Sequence, residues 1–330
     1  MRCLITGAAG FAGSHLADYL LSQGEEVVGL IAPQDDLANL KHILSQIIVE
    51  RVDVQDAEGV LRLLSHIRPQ RIYHLAALSS PVESLRDPVL TYNVNFYGTL
   101  NLLCAWRQIG MDCRFLYVSS AEVYGIDPPA PMPLREDCPL RPANPYAASK
   151  AAAELLAFQF YRSYGFPIVR ARPFNHTGPR QSAAFVCSSL ARQVVEVEKG
   201  LRPPTITVGN LKVQRDFSDV RDIVWGYYLL LEKGEPGEVY QLCSGRPVSI
   251  EAIVDILSSF TSRATRIAVD ESKVRAQEAC AFWGDHAKAR QAVGWVPRYS
   301  LETTLRDLWR GWEEALRSNP LSDLEKASRR

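Results

Sequence analysis

Apolar residues along the first 75 positions come in short bursts at 3–6, 26–31, 46–52 and 71–75. Between them lie stretches with apolar positions three and four apart, at 14–22 and 57–67. The bursts predict buried strands and the spaced stretches predict helices. Strand and helix alternating at this pitch predict a doubly wound parallel sheet. The pattern continues with one long helix over about 83–109, a strand at 114–119, a helix over 145–164 and a strand at 167–172. Pro145 suits the first turn of its helix, where a missing N–H breaks no bond. A sheet of about seven strands is expected.

Past Arg172 the texture changes. Prolines cluster at 173, 179, 203 and 204, the loops lengthen, and short strands mix with helices. Helices are expected at 219–232, 249–260 and 301–316, and a strand at 239–242 is placed to rejoin the sheet. The expected division is therefore 1–173 for the sheet domain and 174–330 for a smaller α/β lobe, with later segments completing the sheet. That lobe draws mainly on about 174–205, 212–216, 244–285 and the C-terminal region. The stretch 127–142, with six prolines, reads as a surface loop, and the polar tail 319–330 as a frayed end. The leucines and tryptophans of 301–316, and Trp295, read as packing residues.

Composition narrows the function. Lys plus Arg and Asp plus Glu both number 37, so no basic excess is available to hold a nucleic-acid backbone or an anionic membrane. The longest strongly apolar run, 223–231, is well short of the roughly 18–20 residues of a membrane helix. The N-terminal apolar run is broken by glycines and does not read as a signal peptide. Seven widely spaced cysteines without a C-x-x-C read as reduced, mostly buried thiols, which suits the cytoplasm. None of the six histidines has a partner at metal-ligand spacing, so no metal site is expected.

The chemistry gathers at the carboxyl ends of the predicted strands. Gly7, Gly10 and Gly13 follow the first strand and open the first helix. Such a turn lets the backbone approach a pyrophosphate, which the helix N-terminus attracts with its unpaired N–H groups and dipole. Alone, the triplet also fits, less well, a tight turn that binds nothing. Asp53, beyond the third strand, is placed for the adenine end of a dinucleotide. Leu75, Ala76 and Ala77 end the fourth strand after His74 and leave room for a cofactor to cross the sheet edge. Tyr146 and Lys150 stand four apart on one helix face, so the lysine is expected to lower the pKa of a phenol that otherwise titrates near 10. Ser120, at the end of the fifth strand, is a third partner at the same edge.

With those residues in view the chain resembles the extended short-chain dehydrogenase/reductases that act on nucleotide sugars. The carriers are TGAAGFAG at 6–13, HLAA at 74–77, NVNFYGT at 93–99, YVSSAEVYG at 117–125 and NPYAASK at 144–150. The runs ARPFNHTGPRQ at 171–181, VGNLKVQRDFSDVRD at 208–222 and GWVP at 294–297 are most similar to the guanosine-diphosphate branch. That branch holds GDP-mannose 4,6-dehydratases and GDP-4-keto-6-deoxymannose reductases. The resemblance implies a Rossmann-type α/β fold with a smaller substrate-binding lobe, and a homodimer formed through the helices near 83–109 and 145–164. Residues 31–34 offer neither an acid nor an arginine to choose the cofactor, and the resemblance implies NADP(H), with NAD(H) as the second choice.

It also implies roles. Ser120, Tyr146 and Lys150 are the catalytic set, with Glu122 in the place of a dehydratase base. Gly7, Gly10, Phe11, Ala12, Gly13, Asp53, Val54, Leu75, Ala76, Ala77 and Pro173 join Tyr146 and Lys150 around the cofactor. Asn175, Arg215, Arg275 and Glu278 join Ser120 on the sugar nucleotide, whose diphosphate suits the guanidinium fork. Asn95 braces the helix behind the site.

Within the branch the wording favours a reductase of the 4-keto group of a GDP-4-keto-6-deoxyhexose, giving GDP-rhamnose or its 4-epimer. The turn reads Gly10-Phe11-Ala12-Gly13, where the dehydratases have Gly-Gln-Asp-Gly, and no dibasic pair follows the second strand. Ala121 stands where the dTDP-glucose dehydratases carry their acid. Glu122 keeps a GDP-mannose dehydratase as the alternative, and intact Ser120, Tyr146 and Lys150 disfavour a non-catalytic cofactor-binding protein.

Overall fold

The computed structural model describes residues 1–127, 131–274 and 279–318. Its centre is a seven-stranded parallel sheet in the order β10-β6-β5-β4-β1-β2-β3. The strands are β1 Arg2–Thr6, β2 Glu26–Ile31, β3 Ile48–Arg51, β4 Arg71–His74, β5 Arg114–Val118, β6 Ile168–Pro173 and β10 Val239–Leu242. All six residues of β6 and all four of β4 and of β10 are buried, as both faces of the sheet are covered. The connections are α1 Phe11–Ser22, α2 Ala57–Ile67, α5 Gly98–Ile109 and α6 Pro145–Tyr164. α8 Val220–Lys233 leads into β10, which rejoins the sheet as expected and does so beside β6. Strand order reverses between β1 and β4, and a cleft opens there at the carboxyl ends of the strands.

One face of the sheet packs on α1 and α8 through Leu16, Leu20, Ile223 and Tyr227. The other packs on α2, α5 and α6 through Leu64, Trp106, Ala153 and Phe160. Trp295 is fully buried, and its Nε1 donates to the Asp222 carbonyl at 2.8 Å, the packing role expected of it.

The second lobe holds the short strands β7 Asn175–Thr177, β8 Thr205–Val208, β9 Gln214–Asp219, β11 Pro247–Ser249, β12 Arg266–Val269 and β13 Ala281–Phe282. Its helices are α7 Val186–Glu198, α9 Ile250–Ser258 and α11 Leu301–Ser318, while α10 Ala287–Val293 packs back on the sheet beside α8, with Ala289 and Val293 in that core. A separate core joins α7, α9 and α11 through Leu190, Val194, Ile253, Leu257, Leu305 and Leu308. α7 is not among the elements predicted above. Its valines favour a strand, yet its buried residues Cys187, Leu190, Ala191, Val194 and Val197 keep a helical stripe.

The single helix expected over 83–109 is instead divided. α3 Pro81–Arg86 and α4 Pro88–Tyr92 precede a π turn at Asn93–Tyr97 and then α5. Asp87 lies before a proline and leaves the helical region, with φ −135° and ψ 80°. Its carboxylate then caps Leu90 N at 2.9 Å and restarts the helix.

Candidate active site

The cleft encloses about 1190 Å³ and runs from the first glycine turn to the second lobe. At one end Gly7 is held at φ +73°, and a Cβ there would meet Ala76 N at 2.9 Å. A Cβ on Gly13 would sit 2.2 Å from the Gly7 carbonyl oxygen, so the turn has room for backbone alone. α1 starts behind Gly10 with no side-chain cap and no acid in its first turn. The N–H groups of Phe11, Ala12 and Gly13 therefore have no intrahelical acceptor and face the cleft. This cradle fits a pyrophosphate. Beyond β2 the rim is formed by Gln34, Asp35, Asp36 and Asn39, none of which is in the predicted contact set. Asp35 turns its carboxylate onto Ala32 N at 3.0 Å.

At the middle of the cleft stand Ser120, Glu122, Tyr146 and Lys150. Asn144 caps α6 by accepting from Ala147 N at 2.8 Å, and Pro145 takes the first turn as its sequence position predicts. Ser120 caps the 3₁₀ turn Ala121–Tyr124 and accepts from Glu122 N at 3.2 Å. Burial pushes the Tyr146 phenol up to about 12, Ser120 pulls it down through a hydrogen bond, and the Glu122 charge raises it further. The expected lowering of Tyr146 by Lys150 is absent from these influences. Lys150 itself, buried beside the Tyr117 ring with Nζ 5.1 Å from its centre, is driven down to about 7 by desolvation, with Glu154 opposing. For both groups burial is the largest influence.

A buried hydrogen-bond chain ties the turn to this trio. Thr6 Oγ1 meets His74 Nδ1 at 2.7 Å and His74 Nε2 meets Thr99 Oγ1 at 2.9 Å. Thr99 donates to the Asn95 carbonyl, Asn95 Nδ2 donates to Ser149 Oγ at 2.9 Å, and Ser149 donates to the Tyr146 carbonyl at 2.8 Å. Since Thr99 spends its proton on Asn95, His74 must donate from Nε2 and accept from Thr6 at Nδ1. Burial, with Lys150 nearby, pushes His74 down to about 3, in keeping with that neutral form. Asn95 thus braces α6 from the π turn, and its side chain also bonds both backbone groups of Leu78.

Every predicted site residue within the described segments lines this one cleft, including Asp53, Val54, Leu75, Ala77, Pro173, Asn175 and Arg215. Arg275 and Glu278 lie outside the described residues. Arg215 donates to the Ala279 carbonyl at 2.8 Å and lies toward the second lobe. The sequence reading does not include the apolar end built by Val186, Leu190, Val208, Val213 and Ile250, nor Phe174 and His176. His176 stacks on Phe11 with ring centres 5.8 Å apart. No group of three metal-ligating side chains occurs among the described residues.

A parallel sheet with a glycine cradle and a Ser–Tyr–Lys trio at its carboxyl edge defines a dinucleotide-dependent oxidoreductase of the extended short-chain dehydrogenase/reductase class. The family model described as GDP-mannose 4,6 dehydratase matches residues 4–308, and the chain belongs to that family. Its relatives include the GDP-6-deoxy-D-mannose reductase of Pseudomonas aeruginosa, 35% identical over 96% of this chain and 98% of the relative. The structure of RMD from Pseudomonas aeruginosa complexed with NADPH superposes with a TM-score of 0.84 at 35% identity, covering 95% of this chain and 99% of that one. The Thermus thermophilus UDP-glucose 4-epimerase complex with NAD reaches a TM-score of 0.84 at 31% identity, covering 96% and 100%. The chain is an NAD(P)-dependent nucleotide-sugar oxidoreductase.

Proposed function

We propose that this protein reduces the 4-keto group of a GDP-4-keto-6-deoxyhexose with NADPH as the favoured reductant and NADH as the second. The observation that carries the reading is the Ser120–Tyr146–Lys150 trio set in a cleft beside the Gly7–Gly13 cradle. The kinship with a GDP-6-deoxy-D-mannose reductase supplies the sugar.

When bound, the reduced nicotinamide supplies a hydride to carbon 4. Tyr146 gives its phenolic proton to the oxygen that becomes an alkoxide, and Ser120 steadies that oxygen by a hydrogen bond. Lys150 holds the cofactor's ribose and offers the positive charge that lets Tyr146 reload. Phe11, Ala12 and Gly13 offer their N–H groups to the pyrophosphate, and Arg215 and Asn175 contact the sugar nucleotide. Arg275 and Glu278 complete that contact set in this reading.

Incubating the protein with GDP-4-keto-6-deoxymannose and NADPH should consume both and yield a GDP-6-deoxyhexose, identified by mass and NMR. GDP-mannose with oxidised cofactor should remain unchanged. The reverse outcome makes the protein a GDP-mannose dehydratase. A hundredfold faster initial rate with NADH would overturn the choice of cofactor.

The reading includes a cytoplasmic homodimer. Leu85, Val89, Tyr97, Leu155 and Tyr164, on the outer face of α3–α6, are between 44% and 68% exposed. Exposed apolar side chains on these helices fit a covering partner, and a second copy supplies the same helices. Light scattering at micromolar concentration should give twice the chain mass.

A further inference from the structure

Behind the trio, away from the open cleft, lies a charged cluster that the reading above leaves unused. Glu154 is one helical turn beyond Lys150 on α6 and is 1% exposed. Arg172, near the end of β6, grips it: Nε lies 3.1 and 3.0 Å from the two carboxylate oxygens and Nη2 lies 2.6 Å from one of them. Arg170 approaches the same carboxylate at 3.5 Å. The remaining Arg172 donor, Nη1, reaches Tyr124 Oη at 2.8 Å and the Glu136 carbonyl at 2.9 Å. Tyr124 Oη also accepts from Gln241 Nε2 at 2.6 Å, which brings β10 into the cluster. The next residues along β6 and its exit, Pro173, Phe174 and Asn175, line the cleft.

A buried ion pair is costly to form from solvated charges and contributes little to stability by itself. Its position here gives it another use. α6 carries Lys150 and Tyr146, and β6 leads directly to the sugar side. We propose that Glu154 and Arg172 are positioning residues that set the protonation of Lys150 and fix α6 against the cleft end of β6.

This inference rests on the role given to Lys150 above. Glu154 is the charge that favours the ammonium, whereas burial disfavours it. Arg172 attenuates Glu154 by holding its carboxylate. The other titratable groups around Lys150 and its helix face are His74 from β4, Tyr117 from β5, Glu122 and Tyr124 from the 3₁₀ turn, Tyr146 from α6, Arg170 from β6 and Tyr227 from α8. His74 is neutral, and Tyr117, Tyr124 and Tyr227 are pushed up by burial and hold their protons at neutral pH. Glu83, Arg86, Asp87 and Arg107, on the helices packed outside α6, are exposed to water. Glu154 is therefore the buried anion on the lysine's own helix face, and Arg172 governs its strength.

Opposite charges must then move Lys150 in opposite directions. Activity needs the ammonium, so it falls as pH rises through the lysine pKa. Glu154→Gln removes the anion and should shift that fall roughly one unit to lower pH. Arg172→Gln strengthens the anion and should shift it to higher pH, by less, because Arg170 remains. The double variant Glu154→Gln with Arg172→Gln removes both charges of the pair while Arg170 remains, and its profile should fall between those of the two single variants. A purely structural pair would lower the whole profile without moving it.

The pKa is also read directly, without sugar, by NMR titration of ¹³Cε-labelled lysine. Lys150 is one of eight lysines and is assigned by its loss in Lys150→Met. Shifts of opposite sign in the single variants, with the double variant between them, carry the proposal. Shifts of the same sign, or all within about 0.3 units of native, overturn it. If Glu154→Gln does not fold, Arg172→Gln and the double variant decide by the same rule. A native chain inactive on the keto sugar, with its lysine titration moved as stated, refutes the reductase reading and leaves the charge coupling standing.

Discussion

The glycine turn between β1 and α1 and the first two turns of α6 line the same cleft by different means. The turn works through backbone. Its cleft-facing groups are N–H bonds, and its glycines are set by the side chains they lack, as the 2.2 Å gap at Gly13 requires. α6 works through side chains that are themselves almost wholly enclosed. Tyr146 is 9% and Lys150 4% exposed, and the backbone carbonyl of each accepts a hydrogen bond from a buried hydroxyl. Backbone recognition is set once the fold forms. Side-chain chemistry depends on its surroundings, and here those surroundings move Tyr146 and Lys150 from their ordinary pKa values. The turn should therefore respond to substitution in binding, and α6 in rate.

The sharpest way to break this division is Tyr146→Phe. The ring keeps its packing and the proton is lost, so kcat should fall roughly 10²–10⁴-fold while KM and the cofactor Kd stay near native. Stopped-flow and fluorescence titration measure the two separately. A large loss of cofactor binding in this variant would mean that α6 recognises as well as reacts. The counterpart is Gly13→Ala. Its Cβ would press on the Gly7 carbonyl and on Ala8 Cα at 2.9 Å, both backbone, so the turn must open. Cofactor Kd should rise about 10–100-fold, which is about 1.4–2.7 kcal/mol. At saturating cofactor, kcat should remain within severalfold of native.

The same contrast explains what the sequence made legible. The β–turn–α half is written in local signals: buried strand runs, glycines in a fixed frame and a capped, proline-started α6. The residues that supply these signals are also those that line the cleft, so most of its lining at this end could be read position by position. The second lobe is written in long-range contacts. β7 pairs with β9, β9 with β11 and β13, and β8 with β12, so strands far apart in sequence must find one another before the sheets exist. The apolar end of the cleft formed by Leu190, Val208 and Ile250 exists only after those pairings are made. Nor does spacing alone place Glu154 against Arg172, because 18 residues and the loop between α6 and β6 separate them. The divided helix at Asp87-Pro88 was legible from the proline, and the apolar run around it obscured the break.

The smallest expected effect divides the two reaction readings. Glu122 is partly buried, lines the cleft and acts on Tyr146 through its charge, while its own N–H is tied to Ser120 Oγ. Glu122→Gln keeps the shape and that backbone bond and removes the charge. A reductase takes no proton from carbon 5 of the sugar, so turnover of the keto sugar should stay within about threefold of native. The lost charge should also bring the Tyr146 phenol down slightly, because Glu122 raises it. A dehydratase would lose the base that removes the carbon 5 proton and would stop after the first hydride transfer, with reduced cofactor held in the cleft. Absorbance of bound reduced cofactor after mixing the variant with GDP-mannose reads that state directly. If it accumulates, and the native protein consumes GDP-mannose, Glu122 belongs with Tyr146 in the chemistry and the protein is a dehydratase.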